Sequence, residues 1–372
     1  LHVGGENAGG TAIFLFLRSP AGLRSLAVSP SGEATALRDV GVVDSVVSIE
    51  RGVDVYARAT EELRRGGPAR IAVNSSTTRA AADGLSHTQR LALEKALGPE
   101  LTARLVSADE LVTEWLSVKL PEEVEILRRA AELTAKLELE AYEHVIPGKT
   151  RDSDVARHLK RRMAELGVED AWAPQQNPNV NSGPDRGHSH ATDRVIQRGD
   201  IVQTDFGIKV WGIWCTDIQR FAYVLREGES EPPAEAVRRW ENGRNGGRAA
   251  FEAMRPGVRG YDVDKAQRDW MASVGSLPVP WSTGHPVGYW AHDVGPSLGG
   301  AQRAAPPSGD ALRRLGPGHV FAFDGFFSWA WAGESEAPGE ATKTISVEEM
   351  AVVTPAGAEY LIPPQQDLVA IP

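Results

Sequence analysis

Two aspartates stand where a carboxylate is out of character. Asp205 and Asp324 each interrupt an otherwise apolar run, Gln203-Thr-Asp-Phe-Gly207 and Phe321-Ala-Phe-Asp-Gly325. A buried, unpaired carboxylate is costly, so such a residue must be paired, protonated or bound to a metal. Three more residues of ligand type lie on similar extended segments. They are Asp217 in Thr216-Asp-Ile-Gln-Arg220, His285 in Thr283-Gly-His-Pro-Val-Gly288 and Glu348 in Ser346-Val-Glu-Glu-Met350. Four carboxylates with one imidazole form a hard, oxygen-rich donor set. It suits two divalent ions, manganese or cobalt first, and also admits zinc or iron. Taken singly, each such residue is more often structural than a ligand, and spacing alone does not bring the five together.

The elements that must position them fall into two regions. Residues 1–116 read as a smaller α/β domain, with buried strands at Thr11–Leu17 and Arg70–Asn74 and helices at Tyr56–Arg65 and Thr88–Leu97. No acid–base or ligand cluster falls there, so this domain is expected to shape or cover a site rather than perform chemistry. Residues 117–372 carry the candidate chemistry. A long helix opens at Pro121, a residue suited to a first helical position, with Glu122, Glu123 and Glu125 at the positive end of its dipole. Ile126, Ala130, Leu133, Leu137, Ala141 and Val145 recur at steps of three or four and give it one apolar face.

An internal repeat follows. Pro147-Gly148 leads to Asp154-Val155, Met163 and Gly167, and Pro256-Gly257 leads to Asp262-Val263, Met271 and Gly275, with offsets that differ by one residue throughout. Each copy reads as turn, helix, glycine stop and an extended segment. Two such αβ units predict a pseudo-twofold domain with its site between the halves. Strand pairs are expected between Ile201–Val210 and Gln219–Leu225, and between His319–Trp329 and Thr342–Thr354. Strands grouped around a few helices give an α+β class.

Composition narrows the function. A content of 41% hydrophobic and 24% charged residues is that of a soluble globular protein, and no apolar run has transmembrane length. The net charge of -10 argues against nucleic acid as a main partner. Cys215 is the one cysteine, which excludes an intrachain disulfide and a cysteine-based zinc cluster. The opening Leu1-His2-Val3-Gly4-Gly5 has neither an initiator Met nor a signal peptide, so the natural start is expected upstream. A cytoplasmic location is favoured, and export with a removed leader stays open. Six of the ten tryptophans, Trp211, Trp214, Trp281, Trp290, Trp329 and Trp331, lie near these motifs, and an aromatic-lined substrate site would favour apolar or proline-like side chains.

Taken in order, the motifs resemble those of the methionine aminopeptidase, aminopeptidase P, prolidase and creatinase superfamily, the M24 metallopeptidases. Its pattern of an Asp-x-Gly strand, a second Asp, a Gly-His segment, an acidic strand residue and a closing Glu is matched by Asp205, Asp217, His285, Asp324 and Glu348. The seven-residue interval from His285 to His292 resembles the aminopeptidase P and prolidase branch, and His188, ahead of Asp193-Arg194 and Gly199-Asp200, resembles the family's substrate histidine. The match runs over roughly residues 120–360. The resemblance implies a pita-bread catalytic domain, a creatinase-type N-terminal domain, five metal ligands, a short peptide substrate with Xaa-Pro first in line, and a homodimer.

In that scheme two ions activate a shared water as a bridging hydroxide, Asp324 relays its proton, and His188 and His292 bind the substrate and developing oxyanion. Four departures stand out. Asp324 replaces the usual Glu, and Asp205 and Asp217 are twelve residues apart, one more than usual. Ser346 replaces an Arg of proline-specific members, and Trp281 replaces a His. Two alternatives remain at this level: a creatinase-like hydrolase of a non-peptide C–N bond, and a non-catalytic pita-bread binding protein. Members of both kinds lose ligand residues that this chain keeps.

Overall fold

The computed structural model describes residues 12–183, 190–302, 306–307, 309–330 and 342–372. The chain divides into two compact units, Leu1–Thr113 and Glu114–Pro372. In the first, strands Ile13–Ser19, Gly22–Pro30 and Ser45–Ile49 form one sheet, and Ile71–Val73 pairs in parallel with Leu105–Ser107. Helices Val55–Gly66 and His87–Thr102 cover the segments expected to be helical. Asp54 and Ser86 cap them by accepting backbone N–H groups of their first turns.

The second unit opens with helix α1 (Pro121–Glu143), whose Pro121 and first-turn Glu122 and Glu123 fall as expected. Its inward face buries Leu127, Ala130, Ala131, Leu137 and Ala141. Helix α2 (Asp152–Leu166) follows, and later come α3 (Ala234–Ala253) and α4 (Gly260–Ser273). The repeat read in the sequence recurs bond for bond. Gly148 N–H donates to Ile196 O and Ile196 N–H to Thr150 O; in the second copy Gly257 N–H donates to Leu315 O and Leu315 N–H to Val258 O. Gly167 and Gly275, at φ 67° and 72°, turn the chain out of α2 and α4 in a conformation that glycine adopts without steric cost.

Among the described residues, eight strands make the main sheet of this unit: β1 (Asn179–Ser182), β2 (Ile201–Phe206), β3 (Ile218–Val224), β4 (Gly284–Pro286), β5 (Val320–Ala330), β6 (Thr342–Thr354), β7 (Gly357–Tyr360) and β8 (Val369–Ile371). The order β4-β5-β6-β3-β2-β1 sets three strands of each half side by side, with β7 added to β6 and β8 to β3. Both expected strand pairs form, antiparallel. Alternate residues serve opposite faces. Val202 and Phe206 join the core with α1 and α2, while Phe321 and Phe323 join the core with α3 and α4. The residues between them, Asp205 among others, are left for the opposite face. The two halves meet where Gln219 on β3 pairs with Glu348 on β6.

No helix among the described residues is long and apolar enough to cross a membrane.

Candidate metal centre

The seam between the halves carries the polar row. Asn179, Asp205, Gln219, Glu348 and Asp324 are successive cross-strand partners on β1, β2, β3, β6 and β5. Directly opposed residues of antiparallel strands share a face, so local alternation and register together set these side chains in one line. Asp217 enters just ahead of β3, two residues before Gln219. It can return beside Asp205 because Gly207 lets the chain pass close: a Cβ there would lie 2.2 Å from Thr216 O. Strand β4 places His285 opposite Ala322 on β5, beside the same row.

Ligand-type atoms of Asp205, Asp217 and Glu348 lie within 4.8 Å of one another, and so do those of Asp217, His285 and His292; Asp217 is common to both groups. His285 Nε2 is 3.7 Å from Asp217 Oδ2 and 3.8 Å from Glu348 Oε1. The His285 and His292 rings meet edge to face at 4.1 Å, so His292 stands within the donor set as well as at its rim. Asp324 belongs to neither group and joins through Gln219, whose Nε2 donates to Asp324 Oδ1 and to Glu348 Oε2, both at 3.0 Å. The structure thus brings together Asp205, Asp217, His285, Asp324, Glu348 and His292. His188 lies outside the described residues. His190 is exposed.

The electrostatics fit a divalent cation. Burial, then mutual repulsion among the cluster's acids, pushes the carboxyls of Asp217, Asp324 and Glu348 well above their ordinary range. Burial, then the neighbouring His292, pulls His285 down to about 3, which keeps it in the neutral form that ligates metals. Acids driven towards protonation and an imidazole driven towards neutrality describe one low-dielectric site in need of positive charge. Hard carboxylate oxygens with imidazole nitrogen are the donors such a cation takes.

A consequence concerns pH. A metal ion entering this site must displace the protons that the raised carboxyls hold, whereas His285 has none to lose above about pH 4. Apparent Mn²⁺ affinity of the metal-free protein is therefore expected to rise with pH until those carboxyls have lost their protons, by at most about tenfold per unit for each proton displaced. Calorimetric titration in buffers of different ionisation enthalpy counts those protons. Affinity independent of pH, with no proton release, would contradict the assignment.

Around this centre lie Gln203 and Gln219, which the sequence did not single out, and Ser346, which stood out there only as a departure from the family pattern. Gln203, Gln219 and Ser346 form a buried polar chain beside the acids, two residues from Asp205, Asp217 and Glu348 respectively. Their signal was present as polar residues at a spacing of two within apolar strands. Lys119 pairs with Asp293 at 3.1 Å, both side chains almost fully buried, and anchors the loop that carries His292. His319 is buried against Ser117 at the start of β5.

The tryptophans divide. Trp281 lies against Phe326, two residues beyond Asp324, with ring centroids 6.2 Å apart, and is 40% exposed. Trp211 and Trp214 pair with each other, Trp214 also reaching Glu123, and Arg239 stacks on Trp329. Trp331 is outside the described residues.

Comparison with known proteins agrees with this geometry. The model of metallopeptidase family M24 matches residues 125–355, more than half of the chain. The chain is similar to the probable dipeptidase PepE of Mycobacterium tuberculosis, 26% identical over 298 residues that make up 79% of this chain and 70% of that protein. It is also similar to the Xaa-Pro dipeptidase of Pyrococcus furiosus, 28% identical over 193 residues, 50% of this chain and 51% of the relative. Among solved structures it resembles the Xaa-Pro dipeptidase from Bacillus anthracis, with a TM-score of 0.69 at 21% identity, covering 98% of this chain and 90% of that one. The X-Pro aminopeptidase from Thermotoga maritima matches with a TM-score of 0.68 at 20% identity, covering 94% and 88%. These likenesses give the fold, α+β with the pita-bread arrangement of helices around a curled sheet. Because the family match covers more than half of the chain and spans Asp205, Asp217, His285, Asp324 and Glu348, the chain belongs to metallopeptidase family M24.

Proposed function

We propose that this protein is a dinuclear metal-dependent peptidase that hydrolyses short peptides in the manner of Xaa-Pro dipeptidases and aminopeptidase P. The observation that carries the reading is the pair of ligand groups joined at Asp217 on the seam of the two halves. Asp205, Asp217, His285, Asp324 and Glu348 would hold two divalent cations, manganese or cobalt first. When bound, such cations supply Lewis acidity to a peptide carbonyl and lower the pKa of water at the site.

The chain's own residues do the rest. Asp324 has one oxygen engaged by Gln219; the other has two lone pairs, one for a cation and one to accept the proton of the attacking water and deliver it to the departing amine. His292, exposed at the rim, hydrogen-bonds the substrate, and His188 is proposed to act with it. Trp281 offers an apolar wall next to Phe326 that favours a proline or another apolar side chain. Ser346 is buried, and its hydroxyl donates to Gln219 Oε1, so it gives the substrate no positive charge where proline-specific relatives have Arg.

The test is hydrolysis of matched Xaa-Pro and non-proline di- and tripeptides by protein loaded with Mn²⁺ or Co²⁺. Expected is cleavage that a chelator abolishes and added metal restores, faster for Xaa-Pro peptides. Cleavage of other peptides at equal rates would keep the peptidase and discard the proline preference. Stoichiometric metal binding without hydrolysis of any peptide would overturn the reading in favour of a non-peptide hydrolase or a binding protein.

A further inference from the structure

Gln219 sits at the centre of the polar row with every hydrogen-bonding position used. Its Nε2 donates to Asp324 Oδ1 and to Glu348 Oε2, both at 3.0 Å, and its Oε1 accepts from Gln203 Nε2 and from Ser346 Oγ, both at 2.7 Å. A carboxamide has two donor hydrogens and two acceptor lone pairs, so these four bonds saturate it. The same bonds decide its orientation, since a flipped amide would turn its oxygen against two carboxylates. Gln203 is held in turn by Asn181, whose Nδ2 donates to its Oε1 at 3.1 Å. All four side chains of this chain, Asn181, Gln203, Gln219 and Ser346, are buried.

The arrangement has a consequence for Asp324. Its side chain is one methylene shorter than that of Glu348 opposite, and it falls outside both groups of mutually close ligand atoms. Its hydrogen-bonded link to the cluster on this face is Gln219. The bridging amide takes one oxygen from each acid, and the second oxygen of Asp324 and of Glu348 is left for a cation. Hydrogen-bond partners of this kind orient ligating carboxylates and, when removed, typically cost about 10–100-fold in metal affinity.

We propose that Gln219 is a positioning residue that joins Asp324 to the cluster, so that binding of the more weakly held of the two cations depends on its carboxamide. The inference rests on the dinuclear reading above. Mn²⁺ titration of metal-free wild type and Gln219→Leu, followed by calorimetry and by the exchange-coupled electron paramagnetic resonance spectrum of a Mn²⁺ pair, tests it.

The expected result is a weaker second step in Gln219→Leu, by about 10–100-fold, with loss of the coupled spectrum at one equivalent of excess metal. The first step should move far less. Gln219→Asn, which keeps the amide but shortens its reach, should shift the second step in the same direction and serves if the leucine variant does not fold. Two ions bound by wild type with an unchanged second step and coupled spectrum in the variant would overturn the inference alone. Fewer than two ions bound by wild type would overturn the dinuclear reading and the inference with it.

Discussion

Replacing Asp217 by asparagine is expected to remove metal binding and peptidase activity together. Asp217 is the residue common to both groups of ligand atoms, so no other single change withdraws a donor from both. The fall in kcat/KM should reach at least about a thousandfold, beyond the roughly 10–100-fold typical of losing an outer hydrogen-bond partner of a ligand. Asparagine preserves shape and burial. It also removes one member of an acid cluster whose carboxyls repel one another and are pushed well above their ordinary range.

Stability should therefore move the other way. With metal removed by a chelator, Asp217→Asn is expected to melt no lower than metal-free wild type, because in wild type a buried acid there is crowded by Glu348, Asp205 and Asp324. Thermal unfolding with and without Mn²⁺, beside the peptide assay, separates the two effects. A variant that binds two ions and keeps its activity would remove Asp217 from the centre. A variant that lost activity only because it unfolded would show a purely structural role.

The second large effect concerns Lys119. Its ammonium group lies 3.1 Å from Asp293, with both side chains almost fully buried, and stands 4.7 Å from the centroid of the Tyr289 ring. Removing one partner of a buried pair leaves the other charge without compensation, which costs about 3–5 kcal/mol. Asp293 also accepts the backbone N–H groups of Tyr289 and Val294, so Lys119→Met is expected at the lower end, about 3 kcal/mol.

The loss should not stop at stability. Asp293 follows His292 directly, and its bonds hold the loop that brings His292 beside His285. Urea unfolding of Lys119→Met, Asp293→Asn and the double variant measures the pair, and the double variant should recover part of the loss because no unpaired charge remains. Additive losses would show that the two residues do not act together. At temperatures where Lys119→Met stays folded, peptide hydrolysis is expected to be impaired as well.

Much of this molecule was legible from the chain. The repeat of Pro-Gly turn, helix and glycine stop was readable because each feature is local: proline limits φ, glycine allows a left-handed exit, and apolar residues at steps of three or four define a buried face. Asp205 and Asp324 stood out because a carboxylate inside an apolar strand demands a partner. The ordered motifs then suggested a family, and the family match bears out that resemblance.

What local chemistry could not supply was register across the seam. Gln219 and Glu348 are 129 residues apart, and which residue of β6 faces β3 depends on packing of whole strands rather than on the preference of any segment. A shift of one residue would have turned Glu348 away and brought Glu349, which pairs with Arg220 on the other face, towards the cluster. Lys119 and Asp293 likewise meet only because the segment just before α1 and the His292 loop are folded against each other. Sequence by itself determined the residue types, the turns and the two-half plan. Tertiary structure decided that Asp217 is shared, that Asp324 is reached through Gln219, and that Ser346 is buried, because contact between distant strands is a property of the assembled sheet.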